Sequence, residues 1–103
     1  MKALAVAGLI ACLSSVPALA DCVAPNMVVQ IPDGATASRD EMIAAQKVIV
    51  AIDAAVVEYS RCLEKSGHSI ASDRMQNDAV DKLHRIADKY NAELRTFKKK
   101  SGG

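Results

Sequence analysis

From Met42 onward the apolar residues recur at alternating steps of three and four: Met42, Ala45, Ile49, Ile52, Val56, Tyr59 and Leu63. That spacing draws one continuous seam along a helix. Ser38 followed by Glu41 forms a capping box at its start, and Asp40 and Glu41 place negative charge in the first turn. Gly67 supplies a stop, and no proline interrupts the alanine-rich run before it. The pattern predicts a helix over 39–66. A second stripe runs through Met75, Ala79, Leu83, Ile86, Ala87, Tyr90, Leu94 and Phe97. Asp78, Asp81, Arg85, Asp88, Lys89 and Arg95 fall off that stripe, so this helix is apolar on one face. Its expected range is 73–98, capped by Ser72 or Asp73. The linker "SGHSIAS" is short and predicts an antiparallel fold-back. The expected fold is an all-α two-helix hairpin, residues 38–97, followed by a basic tail over 98–103.

The pattern is different upstream. Lys2 precedes an apolar run from Ala3 to Leu13, Pro17 breaks it, and Ala18-Leu19-Ala20 is a small-x-small site before Asp21. That is the order of a secretory signal peptide over 1–20. The run is too short to span a membrane, which takes about 20 apolar residues. An alternative reading takes "LIAC" at Leu9 to Cys12 as a lipoprotein signal with Cys12 lipidated. Either reading directs the chain to the periplasm or beyond.

Between leader and hairpin lies an arm, 21–37, with Cys22, Pro25, Pro32 and the apolar "MVVQI". Export leaves two cysteines, Cys22 and Cys62. An even pair in a small chain in an oxidising compartment reads as a disulfide. It closes a loop of about 40 residues, worth roughly 4 kcal/mol in the chain-entropy account. The reach is sufficient. Arg39 to Cys62 spans roughly 35 Å of helix, and the arm extends to roughly 50 Å. Pro25 and Pro32 favour extended backbone, and "PDG" at Pro32 to Gly34 signals a turn before the helix cap. On a helical wheel Cys62 lies in line with Ala44, Ala51 and Ala55. The arm is expected to lie along that small-residue edge as a strap, with Val28, Val29 and Ile31 covering apolar surface.

Charge narrows the partners. The chain has 13 Lys and Arg against 12 Asp and Glu, so loss of Lys2 with the leader brings the balance to zero. This argues against nucleic acid, as does the lack of an aromatic stacking platform around Tyr59, Tyr90 and Phe97. Lys98, Lys99 and Lys100 form the one basic cluster; it suits a helix C-terminus and leaves room for weak contact with an anionic membrane surface.

Catalytic chemistry finds little footing. No serine sits in a nucleophile motif, no phosphate-cradling loop is present, and Asp53 and Glu58 read as solvated charges. The expectation is a non-enzyme with no cofactor. Met27, Met42 and Met75 read as core filling. An alternative is a metal-binding or metal-stress role for His68 and His84 with Asp81 or Asp88, pairs that share helical turns.

One stripe is left over. Ile43, Val50 and Val57 repeat at sevens on the side of the first helix that carries Gln46, Lys47, Asp53, Glu58 and Arg61. A hairpin with a strap does not easily bury both this stripe and the main seam. Either these are ordinary surface apolars, or the arm crosses them, or they form a contact site for another protein or a second copy.

The order "IPDGATAS", "EMIAAQ", "YSRCLE" and "YNAELRTFK" resembles a group of small exported helical proteins of bacteria that are uncharacterised in function. The resemblance implies a periplasmic helical protein and carries no catalytic or binding residue.

Overall fold

The computed structural model describes residues 22–102. The expected signal peptide over 1–20 and the Cys12 alternative lie outside the described residues. Among the described residues two helices make up the regular structure, α1 (Arg39–Lys65) and α2 (Ile70–Lys100), and they pack on each other.

Helix α1 starts where its capping box predicts. Ser38 Oγ accepts from the Glu41 N–H at 3.1 Å, and the Glu41 carboxylate accepts from the Ser38 N–H at 2.7 Å. Two of the donors a helix start leaves unpaired are thereby satisfied. At the other end Gly67 takes φ +96°, a conformation that excludes most side chains. The seam is buried at Met42, Ala45, Ile52, Val56, Tyr59 and Leu63 and half-buried at Ile49.

Helix α2 starts earlier than the sequence pattern suggests. Its cap is Ser69, not Ser72 or Asp73. Ser69 Oγ accepts from the Ser72 N–H, and Ser72 Oγ accepts from the Ser69 N–H, both at 3.0 Å. This is a capping box with serine in the third position, where glutamate or glutamine is the usual signal. Ser72 is therefore buried inside the first turn. The helix also runs on through Lys98, Lys99 and Lys100, so those lysines are its last turn and the expected tail begins only at the C-cap, Ser101. Their charge complements the helix dipole there. Met75, expected on the buried stripe, is 38% exposed, and Val80 packs against the core instead.

The hairpin is antiparallel, and its core has two centres. Ile52, Val56, Tyr59 and Leu63 of α1 meet Ala79 near the start of α2. Met42 and Ala45 meet Tyr90 near its end, together with Ala37 from the arm. The Tyr90 hydroxyl donates to the Met42 carbonyl at 3.0 Å in a buried setting.

The arm is a strap, as expected. The Cys22–Cys62 disulfide pins its start to the last turns of α1, with the two Cα atoms 5.7 Å apart. From there it runs back toward the start of α1 in extended form. Burial alternates along it: Met27, Val29 and Ile31 turn inward while Val28 and Gln30 face solvent. Period-two alternation is what an extended segment on a surface produces. Val28, expected to cover apolar surface, is therefore 82% exposed, and Met27 takes that role. Strap residues share surface with Ala51 and Ala55, two of the alanines on the expected edge. They also reach α2, because Ala24, Pro25 and Met27 line one hollow with Tyr59, Met75 and Ala79. The strap thus fills one of the two grooves between the helices.

The strap ends in a tight turn. The Asp33 carbonyl accepts from the Thr36 N–H at 3.0 Å and the Ala37 N–H at 2.8 Å. Asp33 Oδ1 accepts from the Ala35 N–H at 2.9 Å. Gly34 within this turn is pressed against α2. Its N–H donates to Glu93 Oε1 at 2.8 Å, and a Cβ built on it overlaps the Glu93 carbonyl oxygen.

Candidate functional site

With the strap in one groove, the opposite groove between α1 and α2 stays open. Asp53, Val57, Arg61 and Glu64 line it from α1, and Val80 and His84 line it from α2. No strap residue contributes, so the arm does not cross the Ile43, Val50 and Val57 stripe. The three residues of the stripe are exposed, at 37%, 61% and 46%. Val57 borders the open groove, and Ile43 and Val50 continue from it along α1 toward the helix start.

This exposure follows from geometry. A two-helix hairpin buries the sides on which its helices face each other. The strap covers one flank of that contact. Residues seven apart drift by about 20° per step on a straight helix, so Ile43, Val50 and Val57 stay on one strip of α1 turned away from both. Among the described residues no third helix covers them.

The charges around the stripe are mixed. Arg61 pairs with Glu58 one turn away, both ends well exposed, and such surface pairs contribute little to stability. Lys47 and Asp53 flank Val50 and are exposed.

The histidines stand apart. His68 precedes α2 and approaches Asp73, with Nδ1 3.6 Å from Oδ1, both side chains exposed. His84 borders the open groove. The two are separated by roughly 20 Å of helix at 1.5 Å per residue. Among the described residues no group of three or more His, Cys, Asp or Glu side chains stands close enough to hold a metal ion. The alternative set of His68, His84, Asp81 and Asp88 is therefore not assembled, because His68 precedes α2 and His84 sits several turns along it.

A second apolar patch escaped the sequence reading. Val48, 43% exposed, lies beside Val28, Pro25, Ala51 and Ala55 where the strap passes over α1. Its signal was present: Val48 stands beside Ala44, Ala51 and Ala55 on the wheel. Only the strap's outward Val28 makes a patch of it.

No helix among the described residues is long and apolar enough to cross a membrane. The chain matches no family model, no curated protein and no solved structure at a significant level.

Proposed function

We propose that this chain is an exported protein of the bacterial envelope that works without catalysis, as a protein-interaction module. Its contact surface is the strip of Ile43, Val50 and Val57 with the open groove beside Val57. The observation that carries the reading is the contrast on one helix: the seam of α1 is buried while a second apolar strip, at seven-residue spacing, stays in solvent. Seven-residue spacing is what a partner helix reads when it packs at a shallow angle. The leader-like start and the disulfide favour an oxidising compartment, where such a staple persists. The partner is another protein or a second copy of the chain.

A photo-crosslinking side chain at position 50 tests this in intact cells. The same side chain at Asp88, exposed on α2, is the comparison. Adducts of defined mass are expected from position 50 and not from position 88. No adduct, or equal labelling from both positions, would remove the stripe as the contact surface. Val50→Asp should abolish the adducts formed from position 57 while leaving the helical content unchanged.

A further inference from the structure

The groove that the strap fills is a second binding surface, and its occupant is visible. We infer that this groove accepts residues 22–31 of a second copy of the chain, exchanged through Cys22–Cys62. The inference is independent of the Ile43, Val50 and Val57 stripe.

Three observations carry it. The strap fits the groove by side chains alone: Met27, Val29 and Ile31 point in at every second position. Among the described residues its backbone forms no hydrogen bond to either helix before Gly34; the Val28 N–H is satisfied locally by Asn26 Oδ1 at 3.0 Å. The groove therefore recognises a pattern, not an attachment to its own hinge. Second, a natural pivot exists. Pro32 holds Ile31 in extended backbone, while the next residues are fixed by the Asp33 turn and by Gly34 against α2. Rotation about ψ of Pro32, the soft torsion between the restrained Ile31 and the fixed turn, swings the strap out as one straight piece. Third, the far end is a covalent latch. Both cysteines are only half-buried, within reach of a small thiol.

The exchange balances without an oxidant. A thiolate from a small monothiol attacks Cys62 Sγ, forms a mixed disulfide and releases Cys22 as a thiolate. The freed Cys22 thiolate attacks Cys62 of a second copy and displaces that copy's own Cys22. The incoming strap, held by the new disulfide, takes the groove that the displaced strap leaves. The displaced strap seats on the first copy, attacks the mixed disulfide at Cys62 and expels the monothiol. Two internal disulfides have become two between copies, and the monothiol is regenerated. The internal form competes through an effective concentration in the millimolar range, so exchange needs crowded conditions.

The test mixes isotopically heavy and light copies of the full mature chain at about 1 mM, near that effective concentration. A trace of 2-mercaptoethanol is added, the thiols are quenched, and disulfide-linked peptides are read by mass spectrometry. Mixed heavy–light pairs are expected, almost all joining Cys22 to Cys62, and none should form without the thiol. Absence of mixed pairs overturns the inference. So does a near-statistical mixture of Cys22–Cys22, Cys22–Cys62 and Cys62–Cys62, which marks pairing without the groove. Val29→Asp spoils the inward pattern and should shift mixed pairs toward the two homotypic links; an unchanged preference for Cys22–Cys62 also overturns it. A result either way leaves the crosslinks from position 50 untouched.

Discussion

Gly34 and Glu93 hold the strap to the hairpin from two directions at once. The Gly34 N–H donates to the Glu93 carboxylate at 2.8 Å, and the Glu93 carbonyl occupies the space a Cβ on residue 34 would need. Gly34 does not have a positive φ. Its role is close approach, and a backbone atom of a helix is the neighbour that cannot yield.

Gly34→Ala therefore forces the turn away from α2 and breaks the hydrogen bond. A cost of about 1–3 kcal/mol is expected for overpacking of this kind. For a chain of this size each kcal/mol lowers Tm by about 4–8 °C. Thermal unfolding followed by circular dichroism measures it. An alanine variant that melts with the native chain would mean the turn does not rest on α2. Glu93→Gln keeps an acceptor and should cost much less than Gly34→Ala.

The start of α2 is open to a direct comparison. Ser69→Ala removes the cap of the helix and should cost about 1 kcal/mol. Asp73→Ala, at one of the two positions the sequence pattern offered, removes an exposed contact with His68 and a first-turn negative charge, and should cost less, about 0.3–0.5 kcal/mol. The reverse order in urea denaturation would place the cap at Asp73.

Tyr90 ties the far half of α2 to the first turn of α1. Tyr90→Phe keeps the ring and removes the donor to the Met42 carbonyl. The expected loss is about 0.5–1.5 kcal/mol, with the fold unchanged. A loss above that range would indicate that the hydroxyl serves a wider buried network; no loss would indicate that the bond does not form in solution.

Removing the latch should free the strap before it unfolds the hairpin. Met27, Val29 and Ile31 are each partly buried and together contribute about 3 kcal/mol. Fixing the backbone of the same segment costs more, at roughly 1 kcal/mol or above per residue. In Cys22→Ser/Cys62→Ser, limited proteolysis should cut between 22 and 32 much faster than in the native chain, while α1 and α2 keep their helical signal. Equal resistance in both forms would show that packing alone retains the strap.

Most of the fold was legible because its signals are local. The seam from Met42 to Leu63, the Ser38–Glu41 box and the Gly67 stop each act within a few residues of themselves, so periodicity and capping chemistry locate α1 without knowledge of its surroundings. The Cys22–Cys62 pair was legible for another reason: with the expected leader set aside, two cysteines leave one internal pairing. The start of α2 was missed because a serine at the third position of a capping box is a weak signal beside the Asp73–Gln76 alternative. The stripe of Ile43, Val50 and Val57 was visible as a pattern, but whether it is covered depends on which groove the strap takes.

What the chain alone determined, then, is the set of pieces: two amphipathic rods, an extended proline-bearing arm and one staple. Tertiary structure alone decided that the strap fills the groove beside Ala51 and Ala55 and leaves the one beside Val57 open. It also decided that Gly34 serves an approach to Glu93, and that His68 and His84 never meet. Those outcomes depend on steric fit and distance between residues remote in sequence, and no local pattern encodes either.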